Sequence, residues 1–256
     1  MAASVVIMKS PTCPGLLRPL TNADLEKSAY IYNHLPRIHE GMRVDDAHVA
    51  ELLRLIDKNG YHGRLGLHLL HKHDDIADGT IRLESDLSEM PGSWNKATRI
   101  DSIDARSIHA VTFRHISPEN RLVPYEFAEG PSSLTLGEKD HQFLGEFNEY
   151  LRKHSLSDAL ALEVAPCGAE PQHQEGTTEI EVNGAGTIVL PISMVNNGDF
   201  LPTGWLYLNQ LEDSTPPKGQ TWSKMTNGSH KVFTNNPVGT PAELFAELIQ
   251  ARIIKS

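Results

Sequence analysis

Hydrophobic and polar positions change period several times along the chain, and each change marks an element. In DDAHVAELLRLIDK, residues 45–58, the apolar Val49, Leu52, Leu53 and Ile56 recur at helical spacing. Asp45 or Asp46 supplies the N-cap, and Asn59-Gly60 supplies a left-handed stop. A helix before it starts at Thr21 or Asn22, aligns Leu25, Ala29 and Tyr32, and ends at Pro36. From Leu65 the period drops to two. Leu65, Leu67 and Leu69 point one way along a strand, and strict alternation carries His71 and His73 with them. Asp78-Gly79 makes a turn and TIRLE returns, which predicts a hairpin.

Residues 85–105 read as polar and irregular. RSIHAVTFRHI then alternates, with His109, Val111, Phe113 and His115 on one face. RLVPYEFAEG comes back, its Pro124 marking an edge or a bulge. GEKDHQFLGEFNEYLRKH is helical, with Phe143, Leu144, Phe147 and Leu151 as its apolar face, and DALALEVAP follows as a strand. Asn183-Gly184 between alternating runs predicts another hairpin. FLPTGWLYLN and TWSKMTNGSHKVF are further strands. Thr240-Pro241-Ala242-Glu243 is a capping box that opens a last helix, with Leu244, Phe245, Leu248 and Ile249 facing inward.

The expected fold class is α+β: antiparallel hairpins and sheet, with a distorted barrel as the alternative, packed against three or four helices. One domain is expected over 1–256. Residues 1–60 form its helical start, 61–235 a mainly β part with one helix, and 240–254 a C-terminal helix.

Apolar residues are 39% and charged residues 22%, as in ordinary globular chains, which excludes a wholly disordered protein. The net charge of −10 and the absence of a Lys/Arg run argue against nucleic acid as a partner. No run approaches the roughly 18 apolar residues of a membrane span. The start, MAASVVIMKSPTCPG, lacks the basic region of a secretory leader. A cytoplasmic protein with no membrane partner is the expectation. Nothing in the pattern encodes an oligomeric state. Cys13 and Cys167 are too few for a disulfide scaffold and form no thiolate zinc motif; a bridge between them stays open.

The chemistry concentrates in GLHLLHKHDDIADG, residues 66–79. His-x-His on a strand sets Cα atoms about 6.5–7 Å apart on one face, within reach of one metal ion. Neutral imidazole suits iron, zinc, copper or nickel. Metal ligands are therefore expected at His71, His73 and Asp78, with Asp75, His109, His115, Glu126 and His230 as other third-ligand candidates and Fe or Zn as the ion. The second reading is metal-free: His71, His73, His115 and Glu126 act as acid and base in a pocket where the 66–73 and 107–116 strands meet. Trp205 and Tyr207 would form an apolar wall for a small-molecule ligand or substrate. In a third reading the protein binds a ligand without catalysis and its histidines are structural. There is no Walker loop, no nucleophile elbow and no GxGxxG; Cys167 in its loop is a bare candidate nucleophile.

Three resemblances follow from quoted residues. His71-Lys72-His73 with Asp78, and Pro202-Thr203-Gly204, resemble parts of the two motifs of the cupin family, which implies a metal-ligating barrel. Asp78 stands where Glu is usual there, and Tyr207 where the second motif has His. His73-x-Asp75 with a distant His230 resembles the facial triad of non-heme iron oxygenases, without the Arg that follows it in the oxoglutarate-dependent members. HLLHKHDDIADGTIRLE, VPYEF and LPTGW are similar to segments of a filamentous-fungal family that shares a leucine-rich His-x-His hairpin and a Pro-Tyr-Glu-Phe/Tyr strand. That likeness spans about the middle half of the chain. It implies a fungal source and, since the group has no established activity, no mechanism.

Overall fold

The computed structural model describes residues 11–38, 43–88, 90–117, 119–165, 176–206, 219–225, 231–234 and 236–255. The expectations for Cys167, Tyr207 and His230 lie outside them.

Two helices open the chain. α1, Asn22–Asn33, starts at Thr21, whose backbone N–H and hydroxyl both donate to the Asp24 carboxylate. α2, Asp46–Lys58, is capped by Asp45, which accepts from the Ala47 N–H at 2.9 Å. Among the described residues eleven strands follow, interrupted by α3, His141–Lys153, and closed by α4, Pro241–Gln250. The strands are β1 Leu65–Leu69, β2 Thr80–Asp86, β3 Ser93–Arg99, β4 Ile108–Ile116, β5 Arg121–Glu129, β6 Leu160–Val164, β7 Thr177–Val182, β8 Gly186–Pro191, β9 Asp199–Trp205, β10 Gly219–Met225 and β11 Lys231–Val232.

Ten of these strands form one closed barrel in the order β10-β9-β1-β6-β4-β5-β2-β3-β8-β7, closed by the parallel pairing of β7 with β10. β11 pairs with the far end of β7. β2 with β5 is also parallel, so the barrel is mixed. The hairpins at SPEN and at Asn183-Gly184 form as expected, joining β4 to β5 and β7 to β8.

The hairpin expected between β1 and β2 does not form. β1 pairs with β6 and β9, and β2 with β3 and β5. Residues 70–79 cross between distant strands, held by the Leu70 N–H donating to Ala159 O and the Lys72 N–H donating to Pro36 O. Ten residues give enough length to cross where a two-residue loop would force a turn. The 85–105 stretch read as irregular holds the whole of β3. It is a strand because Trp94 buries its ring outward while Ser93 and Asn95 face the other way.

Alternation in this barrel is inverted relative to a solvated sheet. Leu65, Leu67, Ile81, Leu83, Leu160 and Leu162 point outward and pack with α2 and α3 through Leu52, Leu53, Phe143, Leu144 and Phe147. Ile180, Val182, Ile188 and Leu190 do the same against Leu244, Phe245 and Leu248 of α4. The apolar rows are thus spent on the helices, and the polar rows between them face the lumen. α1 packs against β2 and β5. Its Ala29 and Tyr32 join Leu70, Ile76, Tyr125 and Ala161 in a small apolar plug. Among the described residues no helix is long and apolar enough to cross a membrane.

Candidate active site in the barrel lumen

β1 brings the first functional side chain inward. Leu67 and Leu69 face the helices, so His68 between them faces the lumen. Past Leu69 the strand ends and the parity breaks. Leu70 joins the α1 plug, and His71 and His73 turn in beside His68 instead of following the leucines. The His68 and His71 rings stack with centroids 5.1 Å apart, and His73 meets His71 edge-on at 4.9 Å. All three are buried: 5%, 3% and 6% exposed.

Each imidazole faces a glutamate from another strand. His68 Nδ1 lies 3.6 Å from Glu163 Oε1 on β6. His71 Nε2 lies 3.5 Å from Glu179 Oε2 on β7, and His73 Nδ1 lies 3.5 Å from Glu181 Oε2 two residues on. Glu179 Oε2 also accepts from Ser223 Oγ at 3.1 Å and Thr203 Oγ1 at 3.3 Å. Lys231 donates to Asp74 and stands 3.2 Å from Glu181.

The tautomer of His71 follows from its surroundings. Its Nδ1 lies 2.8 Å from the Leu69 carbonyl oxygen, which can only accept, so Nδ1 carries the proton. In the neutral ring Nε2 then turns a lone pair toward the Glu179 carboxylate. Two acceptors face each other unless a positive centre lies between them, a second proton or a cation. One donor atom from each of His68, His71 and Glu179 falls in a group no more than 4.8 Å across. Donors on one zinc or iron are at most about 4.2 Å apart, twice the usual bond of about 2.1 Å, so small side-chain adjustments would close the group.

The lumen also sets charge. Burial alone would lower the His68 pKa, but Glu163 beside it, with Glu179 and Glu126, raises it to about 9. Burial dominates at His73 and, with His71 and Arg82 adding to it against Glu181, lowers it to about 4. Burial would raise the Glu179 carboxyl; His71, His68 and His73 hold it well below the usual carboxylate range.

Beside these groups lies a chamber of about 410 Å³. His68, Glu126, Glu163 and Glu179 line it, and Trp205 walls it. Glu126 accepts from Thr112 Oγ1 at 2.9 Å and from Asn95 Nδ2 at 3.4 Å. His73 lines both this chamber and a more open cavity of about 600 Å³, lined in addition by Arg37, Arg82, Trp94 and Glu181.

The expected residues divide accordingly. His71, His73 and Glu126 stand in or beside the lumen. Asp78 does not. It is exposed in the turn before β2, because Gly79 there needs a positive φ of 73° and the turn projects to solvent. Asp75 is exposed and pairs with Lys72 at 2.7 Å. His115 is buried elsewhere, its Nδ1 2.8 Å from Ser157 Oγ. His109 Nδ1 lies 3.0 Å from Gly130 O. A register shift between Ala110 and Phe113 breaks the expected alternation of β4: Val111 and Thr112 line the chamber while Phe113 turns to the outer core. β1 and β4 do not meet either, since β6 runs between them. Cys13 is a free, buried thiol.

The sequence reading passed over His68, Glu163, Glu179 and Glu181. The signal was present in LHL, LEV and TEIEV, where single polar residues alternate with aliphatic ones. In an open sheet such residues face water; only closure of the barrel turns them into a site.

No protein family, curated protein or solved structure matches this chain.

Proposed function

We propose that this protein is an enzyme that acts on a small organic molecule held in the barrel lumen, with a divalent transition metal carried by His68, His71 and Glu179. The observation that carries this reading is the His71–Glu179 contact. An imidazole whose Nδ1 proton is committed to a backbone carbonyl, the usual support of a metal-bound histidine, points its other nitrogen at a buried carboxylate that could share the ion. Two histidines and one carboxylate are a donor set of catalytic zinc and of non-heme iron(II), and both leave positions open for substrate or water. Such an ion would polarise a substrate oxygen or lower the pKa of a bound water. The chain's own groups supply the rest. Ser223 and Thr203 fix Glu179, Trp205 excludes water from one wall, and Glu163 and Glu126 can accept a proton from an occupant of the chamber.

A second reading, metal-free acid–base catalysis, is favoured by the pairing of every lumenal imidazole with its own glutamate. Elemental analysis separates the two. The full-length protein purified without chelator should carry about one equivalent of zinc or iron, and the isosteric Glu179→Gln should lose it at least tenfold. A folded wild-type protein with no stoichiometric metal, or a Glu179→Gln protein that keeps it, returns the site to acid–base chemistry or to a non-catalytic ligand pocket.

A further inference from the structure

The chamber beside the histidines carries an excess of acid. Glu84, Asp86, Glu126, Glu163 and Glu179 line it against the imidazoles of His68 and His73, and among the described residues no lysine or arginine does. Asn95 adds a neutral acceptor. Its Nδ2 is committed to Glu126, because the reverse amide orientation would set oxygen against carboxylate. That leaves Asn95 Oδ1 buried at the chamber wall without a hydrogen-bond partner, on a side chain whose residue is only 8% exposed. A buried acceptor without a donor is costly, and the residue is well placed to take one from an occupant. The rest of the lining mixes hydroxyls, Ser93, Thr112, Thr177, Thr187 and Thr221, with the apolar Val111, Val189 and Trp205. At about 410 Å³ the space is in the ordinary range for a small organic ligand.

We propose that this chamber binds a small organic cation, a primary amine or guanidinium on a short apolar body, with Glu126, Glu84 and Asn95 receiving its N–H groups. The inference rests on reading the lumen as the substrate site, and it names the class of substrate. Charge explains why a cation is favoured over a neutral hydrogen-bond donor. Clustered carboxylates repel one another when ionised, and burial together with Glu126, Glu163 and Asp86 already pushes Glu84 up to about 7. A cation relieves that repulsion and an anion worsens it. His68 and Glu179 line the same space, so the far end of an occupant reaches the proposed metal centre.

Calorimetric titration of the full-length protein near neutral pH tests this with four probes: benzylamine, agmatine, benzyl alcohol and benzoate. At least one amine should bind, at least tenfold more tightly than benzyl alcohol, and benzoate should not bind. Glu126→Gln keeps the size of the side chain; its amide oxygen can still accept from Asn95 Nδ2 while its amide nitrogen donates to Thr112 Oγ1, and it should weaken the amine at least tenfold through the lost charge. Should that variant melt much below the wild type, Glu84→Gln provides the same comparison. Failure of both amines to bind, equal binding of benzyl alcohol, or unchanged amine affinity in a folded variant overturns the proposal. Metal content measured on the same preparation judges the metal centre separately. An amine bound by metal-free protein removes only the metal, and metal without amine binding removes only the cationic substrate.

Discussion

The backbone N–H of His73 donates to Tyr32 Oη across 3.0 Å, so a helix near the start of the chain holds the segment that carries the lumenal histidines. Both residues are buried, and Tyr32 sits in the apolar plug with Leu70 and Tyr125. Tyr32→Phe keeps the ring and removes only the acceptor. It should cost about 1–3 kcal/mol in a denaturant titration, because a buried N–H is left without its partner. It should also lower metal affinity, since the loop from 70 to 79 loses an anchor. A loss of stability with metal binding untouched would show that the plug positions nothing.

Glu179 needs its two hydroxyl donors for the same reason. Ser223 and Thr203 reach its Oε2 from β10 and β9 and set the plane of the carboxylate toward His71. Ser223→Ala should reduce metal affinity about 10- to 100-fold, the usual effect of removing a group that orients a ligand. Competition with a chromogenic chelator measures it, and an unchanged dissociation constant would remove Glu179 from the centre.

Much of the scaffold was legible in the sequence. The apolar faces of α2, α3 and α4, the capping box at Thr240 and the turn at Asn183-Gly184 depend on neighbours in the chain, and local patterns report neighbours well, except that Ile249, expected inward, is exposed at the end of α4. The histidine segment was legible in content but not in direction. His71 and His73 do turn toward each other, yet they reach the lumen because the strand stops after Leu69, and no local pattern marks that stop. Glu163, Glu179 and Glu181 were hidden for a different reason. Their alternation with aliphatic residues is the pattern of a half-solvated strand, and only the pairing of β7 with β10, about forty residues apart in the chain, closes the barrel around them.

The residues that fall outside the lumen supply controls. Asp78→Ala lies in an exposed turn and should change stability by no more than about 0.5 kcal/mol. His115→Ala removes a buried ring paired with Ser157 and should cost about 1–3 kcal/mol. Neither should change metal content or amine binding. A loss of metal in folded His115→Ala would place the functional centre on the wrong face of β4.

Glu84 gives a prediction in pH. Its carboxyl is pushed from 4.5 to about 7, chiefly by burial and then by Glu126, Glu163 and Asp86. Between those two values the unfolded chain has released the proton and the native chain has kept it. Stability from this group therefore falls as pH rises through 4.5 to 7, and above 7 the penalty is complete. The shift of 7 − 4.5 corresponds to about 3 kcal/mol at most. Glu84 is half-buried at the chamber wall, where water screens part of it, so about 1–2 kcal/mol is expected. Glu84→Gln removes the ionisation and keeps the shape. In ligand-free protein its stability relative to wild type should rise by about that amount between pH 4.5 and pH 8, read from paired urea titrations. A bound cation should abolish the difference by stabilising the ionised wild-type carboxylate. A stability gap that is flat with pH, or that narrows as pH rises, would mean that the lumenal carboxylates do not repel one another, and the electrostatic case for a cationic occupant would fall with it.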